Sequence, residues 1–249
     1  MILHHETHGR GERLVLVHGF TQTGRSWSSV AAQLTDRYEV VLVDAPGHGG
    51  SSDIAVGLQE GAALLGATGG RATYVGYSMG GRLALHLALA QPDVVERLVL
   101  LGATAGIEDP AEREARRRAD DELAASIERD GVPVFLERWL QNPLFARLPE
   151  DAAALADRRR NTPAGLASSL RLAGTGTQES LWGRLASLAM PVLVLAGEHD
   201  AKFRILGERI ASAIGTNARF EVVPDAGHAA HLERPGAFAQ QVEMFLARP

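Results

Sequence analysis

Residues 73–90 read Thr73-Tyr74-Val75-Gly76-Tyr77-Ser78-Met79-Gly80-Gly81-Arg82-Leu83-Ala84-Leu85-His86-Leu87-Ala88-Leu89-Ala90. A short β-branched and aromatic run, Thr73 to Tyr77, ends where a Leu- and Ala-rich helical pattern, Gly80 to Ala90, begins. The chain therefore turns from strand to helix at Ser78. The bare spacing G-x-S-x-G is weak evidence, because any glycine-rich strand-to-helix turn satisfies it. Its context says more. Glycines on both sides let neighbouring backbone pass where a side chain would clash, so the serine can occupy a strained turn with its hydroxyl exposed.

Further along the chain in both directions, similar short apolar runs alternate with helical patterns: Arg13 to Val17, Glu39 to Val43, Arg97 to Leu101, Val192 to Ala196 and Arg219 to Val223. This rhythm specifies parallel strands joined by crossover helices, hence the α/β class with a mostly parallel central sheet flanked by helices. Each run ends in a loop holding Gly, His, Asp or Ser, and in open parallel sheets such loops converge on one crevice beyond the carboxyl ends of the strands. Between Leu101 and Pro191 the rhythm stops. Helical patterns at Glu112 to Arg129, Val134 to Leu140, Asp151 to Arg160, Ala164 to Leu172 and Leu181 to Leu188 fill the gap. Residues 105–188 are thus expected to form a helical cap over the crevice, inserted into a core made of 1–104 and 189–249. The two strands after the gap could not bury a sheet alone, which argues against a separate second domain.

The 249 residues are 45% hydrophobic and carry a net charge of −5, so one full core is affordable and no basic field invites nucleic acid. The apolar runs are too short for a membrane span, and the start Met1-Ile2-Leu3-His4-His5-Glu6 lacks the basic-then-apolar plan of a signal peptide. A cytoplasmic protein acting as a monomer or small homo-oligomer, without membrane or nucleic-acid partners, is the expectation. The absence of cysteine excludes disulfides, thiolate metal sites and a cysteine nucleophile. Lys202 is the only lysine, so it is the one residue able to form a Schiff base.

Serine becomes a nucleophile or base when a histidine takes its proton and an acid holds the histidine. Asp200 follows the run Val192 to Ala196, and His228 follows Arg219 to Val223, so a Ser78, Asp200, His228 constellation can assemble at strand ends. His199 and His231 compete with His228 as base, and Glu198 and Asp225 with Asp200 as acid. An oxyanion needs two preorganised donors. The N–H of Met79, after the serine, is one candidate, and that of Phe20, in the loop Val17-His18-Gly19-Phe20, is the other.

Taken together, His18-Gly19-Phe20, Asp44-Ala45-Pro46-Gly47-His48-Gly49, the turn at Ser78, Gly197-Glu198-His199-Asp200 and Gly227-His228 resemble the α/β-hydrolase fold family over nearly the whole chain. The Arg82 extension of the turn, Gln141-Asn142-Pro143-Leu144-Phe145 and Asp200-Ala201-Lys202-Phe203-Arg204 are similar to its pyruvate-eliminating branch in menaquinone biosynthesis. That resemblance implies a lyase acting on a cyclohexene that carries a succinyl ketone, a ring carboxylate and an enolpyruvyl carboxylate, with no cofactor and no metal. Arginine suits bidentate carboxylate binding. Arg82 stands in the first turn of a helix, where the macrodipole disfavours a cation by about 0.3–1 kcal/mol, so a bound anion would offset its placement. By resemblance, Arg116 and Arg158 are the further substrate contacts, with Arg159 the rival of Arg158. Glu112 with Arg116 and Glu114 with Arg118 are spaced as i,i+4 ion pairs, so much of the run Arg113 to Arg118 can be solvated surface. Tyr77 and Trp139 either line the pocket or fill the core. A serine carboxylesterase or carbon–carbon hydrolase would share the same triad and differ in the cap. A non-catalytic receptor on this fold would need no triad at all.

Overall fold

The computed structural model describes residues 1–149 and 154–247. In chain order its elements are β1 (His5–Gly9), β2 (Glu12–Val17), α1 (Ser28–Leu34), β3 (Tyr38–Val43), α2 (Leu58–Gly69), β4 (Ala72–Tyr77), α3 (Met79–Ala90), β5 (Val95–Leu101), α4 (Pro110–Trp139), α5 (Leu155–Arg158), α6 (Pro163–Ala173), β6 (Val192–Gly197), α7 (Ala201–Ile214), β7 (Ala218–Val223), α8 (Ala230–Glu233) and α9 (Pro235–Leu246). The seven strands form one sheet in the order β1-β3-β2-β4-β5-β6-β7, parallel throughout except for β1, which pairs antiparallel with β3. No helix among the described residues is long and apolar enough to cross a membrane.

Successive residues of β2 divide between two cores, as the period of a strand requires. Val15 and Val17 face a layer built with α2, α3 and α7, while Leu14 and Leu16 face one built with α1 and α9. Because both faces are covered, the central strands read as continuous apolar runs such as Leu14-Val15-Leu16-Val17 and Val192-Leu193-Val194-Leu195. The strand order reverses between β2 and β4. From β2 the chain steps one way to β3 and then returns to the other side for β4, so the crossover helices diverge and open a crevice at that point. The register aligns the strand ends there: Val17 lies beside Gly76, Tyr77 beside Leu101, Leu101 beside Leu195, and Gly197 beside Val223.

Between β5 and β6 the described residues hold helices and no strand. The helices α4 and α6 bury a small core of their own, in which Ile127, Phe135 and Leu136 pack with Leu166, Ala167 and Leu170. The expected helices 112–129 and 134–140 are one element bent at Gly131, whose φ of 78° breaks the helical path two residues before Pro133. The expected helix 181–188 is a tighter 3₁₀ segment, Trp182–Ser187, and residues 150–153, which include the start of the helix expected over 151–160, lie outside the described residues. The strand β1 has no counterpart among the sequence-based expectations. Its residues His5-Glu6-Thr7-His8-Gly9 are half-exposed or exposed, so no apolar alternation marks it.

A close backbone crossing joins α3 to β2. A Cβ on Gly80 would lie 2.2 Å from the carbonyl oxygen of Val17, with no flexible atom to yield. Replacement Gly80→Ala is expected to cost about 1–3 kcal/mol through overpacking, roughly 3–10 °C in melting temperature for a domain of this size. Gly183→Ala, whose Cβ would meet nothing within 4 Å, is the matched control and should leave the transition in place. Equal melting of both variants by calorimetry would show that the crossing is not a constraint.

Candidate active site

Ser78 is the residue between β4 and α3, and its backbone is strained, with φ 50° and ψ −106°. A non-glycine residue holds such a conformation only where its surroundings over-determine it. Here the Ser78 N–H donates to Leu101 O at 2.8 Å, extending the β4–β5 ladder by one rung, while Ser78 O accepts the Arg82 N–H at 3.1 Å, the first bond of α3. One residue thus serves strand and helix at once. Gly19 lies under the turn, where a Cβ would meet the Tyr77 ring at 2.6 Å.

His228 and Asp200 arrive from β7 and β6. The His228 Nδ1–H donates to Asp200 Oδ2 at 2.6 Å, and both side chains are almost fully buried. Asp200 holds its place by also capping α7, its Oδ1 accepting the Phe203 N–H at 3.3 Å. The His228 ring is confined by Phe203 at 4.4 Å and Tyr77 at 5.2 Å between ring centroids. Beneath it lies Gly102, where a Cβ would sit 2.8 Å from the His228 Cε1. Glu233 fixes the backbone on either side, accepting the Gly227 N–H at 2.6 Å and the Ala229 N–H at 3.0 Å. Sequence reading missed Glu233, because its partners are backbone groups that no residue pattern displays. The rivals are placed elsewhere: Glu198 accepts the Asp225 N–H, Asp225 pairs with Arg147 and Arg234, and His199 is half exposed. His231 is buried between Trp27 and Tyr77, each 4.3 Å away, and neither of its ring nitrogens has a hydrogen-bond partner among the described residues.

The loop bearing Phe20 is shaped by two histidines. His18 donates from Nδ1 to Gly19 O at 2.8 Å and accepts the Ala45 N–H on Nε2 at 3.0 Å. His48 donates to Pro46 O and accepts the Thr21 N–H. These contacts assign both rings the neutral Nδ1–H form. Burial agrees: it lowers the His18 pKa, and it pushes His48, with the nearby His18 adding to the effect, down to about 3. The N–H groups of Gly19, Thr21 and Gln22 are taken by Gln22 Oε1, His48 Nε2 and Gly19 O, and Phe20 and Met79 both line the cavity that follows.

Above these groups is a cavity of about 960 Å³, whose lining includes Phe20, Tyr77, Ser78, Met79 and His228 from the sheet side and Trp139 from α4. Arg82 and Arg116 line it too. Arg82 is buried, donates from Nη1 to Ala173 O at 2.8 Å, and is lowered by burial and by the nearby Arg116 to about 10, so it stays charged. Arg116 pairs forward with Asp120, Nε to Oδ1 at 2.8 Å, and not with Glu112, since the side of α4 that carries Asp120 faces inward. Arg158 is the exception. It is fully buried, hydrogen-bonded to Thr21 Oγ1 and electrostatically coupled to the cavity-lining Tyr77, without itself being among the lining residues. The short helix α5 ends there, and the bond to Thr21 ties it to the loop that bears Phe20. Phe145, Phe203 and Lys202 also line the cavity; only the match at 141–145 and 200–204 hinted at them.

Residues 14–241 match the model of the alpha/beta hydrolase family. A protein of Enterobacter sp. (strain 638) named 2-succinyl-6-hydroxy-2,4-cyclohexadiene-1-carboxylate synthase is 36% identical, over 91% of this chain and 88% of that one. The protein of that name from Escherichia coli O1:K1 / APEC is 33% identical over 99% of each chain. Among solved structures, MenH from S. aureus superposes with a TM-score of 0.90 at 30% identity, covering 98% and 97% of the two chains. A malate-bound esterase from Thermogutta terrifontis gives 0.81 at 26% identity, covering 98% and 92%.

The buried histidines make stability depend on acid. His48 at about 3 and His86, which burial and then Arg82 push down to about 4, bind fewer protons folded than unfolded. His231, held well below its ordinary value by burial, acts in the same direction. Their contribution is complete above about pH 6.5 and is lost as pH falls toward 4 and 3, with a slope of up to about 1.4 kcal/mol per pH unit per histidine. Denaturant midpoints measured from pH 7 to 4 should fall steeply, and His231→Leu should flatten the fall by about one proton. An unchanged slope in that variant would refute a neutral, buried His231.

Proposed function

The chain belongs to the alpha/beta hydrolase family, and from that premise we propose that it is a lyase. It eliminates pyruvate from 2-succinyl-5-enolpyruvyl-6-hydroxy-3-cyclohexene-1-carboxylate to give 2-succinyl-6-hydroxy-2,4-cyclohexadiene-1-carboxylate, the product in the name its relatives carry. The observation that carries this reading is a cavity lined by Ser78 and by His228, which Asp200 holds from behind, with Arg82 and Arg116 in its wall. A simple ester needs only the floor. A substrate with several carboxylates needs the wall.

In this mechanism Asp200 holds the His228 Nδ1–H, so Nε2 keeps its lone pair and draws the proton from Ser78. Ser78 removes the proton alpha to the succinyl ketone. The enolate oxygen lies against the N–H groups of Phe20 and Met79, whose fixed dipoles favour the negative charge as it develops. The electron pair returns to form C2=C3, the C3=C4 double bond shifts to C4=C5, and the bond from C5 to the enolpyruvyl oxygen breaks; the departing enolpyruvate takes up a proton at its methylene carbon and becomes pyruvate. Arg82 and Arg116 grip substrate carboxylates, Tyr77 and Trp139 wall the ring, and residues 105–188 act as a cap over a core of 1–104 and 189–249. Arg158, buried near Tyr77 and tied to Thr21, steadies the Phe20 loop and is the third candidate carboxylate contact. The substrate partner is thus a small polycarboxylate.

The malate-bound esterase neighbour keeps a second reading alive, ester hydrolysis with Ser78 as nucleophile. Pyruvate release from the enolpyruvyl substrate, compared with cleavage of simple aryl esters, decides between them; a kcat/KM dominated by the esters would sink the lyase reading. Ser78→Ala and His228→Ala should each cost several powers of ten in kcat, with the double variant little worse than either, since the members act as a unit. Additive losses would refute a shared role. Arg82→Ala should cost about ten- to a hundredfold in kcat/KM, the value of a charge-assisted contact of about 1.5–3 kcal/mol. Arg82→Lys should recover little, because lysine keeps the charge without the fork.

A further inference from the structure

A buried carboxylate in the wall of an anion-binding cavity works against the ligand, so its presence requires a reason. Asp120 is such a group: it lines the cavity, is 3% exposed, and stands between two arginines. Burying an ionised carboxylate is expensive unless every oxygen is matched by a donor. Here Oδ1 accepts Arg116 Nε–H at 2.8 Å and Oδ2 accepts the Gly176 N–H at 3.2 Å. The second contact joins α4 to the segment after α6, and glycine makes it feasible. A Cβ on Gly174 would lie 2.6 Å from Asp120 Oδ2, and one on Gly176 would lie 2.2 Å from the backbone nitrogen of Arg117.

The same segment holds the other arginine. Arg82 Nη1 donates to Ala173 O at 2.8 Å and to Gln178 Oε1 at 3.4 Å, and Gln178 is buried. Residues 173–178 therefore carry both guanidinium groups, Arg82 directly and Arg116 through Asp120. The bond to Arg116 uses Nε, which leaves both terminal nitrogens for a ligand. Arg116 is also the more exposed of the pair, with 43% of its side chain accessible, so without a fixed partner it would sample many rotamers. Within the group Arg82, Arg116 and Asp120, two cations against one anion leave a surplus of one positive charge, enough for a substrate carboxylate.

We propose that Asp120 is the positioning residue of the carboxylate grip, fixing Arg116 through Nε and registering it with Arg82 by way of residues 173–178. This rests on the polycarboxylate reading above. Its function is orientation, and it costs some attraction to gain it.

The test uses 2-succinylbenzoate, a stable aromatic with a ring carboxylate and a succinyl ketone, titrated into the intact protein by calorimetry. Asp120→Asn keeps the shape and a neutral acceptor, so a merely structural role would leave binding unchanged. Positioning instead predicts about tenfold weaker binding, similar to Arg116→Ala, with the double variant no worse than either single. Arg116→Lys, which keeps the charge and leaves Asp120 in place but lacks Nε–H, should be as weak as Arg116→Ala; it decides the matter if Asp120→Asn proves unstable. In pyruvate release the Asp120→Asn loss should fall mainly on KM. Unchanged binding, tighter binding of the kind that removing a repelling charge would produce, additive losses, or rescue by Arg116→Lys would each overturn the proposal. So would failure of the wild type to bind the probe. A wild type that binds it yet releases no pyruvate from the enolpyruvyl substrate would instead overturn the lyase reading, and the Asp120 comparison would stand on binding alone.

Discussion

The first turn of α3 crosses the carboxyl end of β2 at backbone contact, Gly80 against the carbonyl of Val17, and much of the site's geometry depends on that crossing. With α3 pressed so close, the chain leaving β4 has no room for a gradual turn, and Ser78 takes the reversal in one residue at positive φ. The strain is held by ordinary bonds on both sides, a ladder rung to Leu101 and a helix bond to Arg82. The same crossing brings the first N–H of α3 near the loop after β2, so a serine hydroxyl and two candidate oxyanion donors share one corner of the crevice. Strain here is a by-product of packing, and it is what exposes the side chain.

Around that corner the polar groups are either matched or kept neutral. His18 and His48 serve as rigid amide-like spacers that donate on one side and accept on the other, and burial prevents them from charging at neutral pH. Asp200 combines a helix cap with the histidine partner, and Glu233 clamps the backbone on both sides of His228. Each group therefore has its orientation set before any ligand arrives, and preorganisation of this kind makes fixed dipoles effective in a desolvated site.

The far wall follows a different logic. Its arginines come from elements distant in sequence, α3 and α4, and both hang from the short segment after α6. The α4–α6 pair has its own small core, so this wall is built by packing that is largely separate from the sheet. A floor fixed by the sheet and a wall fixed by the helical segment can vary independently, as a fold that hosts different chemistries requires.

The α/β class, the mostly parallel sheet and the strand-end placement of Ser78, Asp200 and His228 were legible in the sequence, because they follow from local periodicity and from glycine at a turn. The helical character of the described residues between β5 and β6 was legible for the same reason. What the sequence left open was long-range. The edge strand β1 carries no apolar alternation, since its pairing with β3 uses backbone atoms alone. Arg116 reads equally well as a partner of Glu112 or Asp120 at helical spacing, and only the burial of one side of α4 selects Asp120. Arg158 sits in an arginine run that gives no inward direction; only the fold buries it and bonds it to Thr21 of the loop that bears Phe20. Periodicity reports which residues want to be buried. Which neighbours they meet there depends on contacts between segments far apart in the chain, and those are decided only when the layers pack.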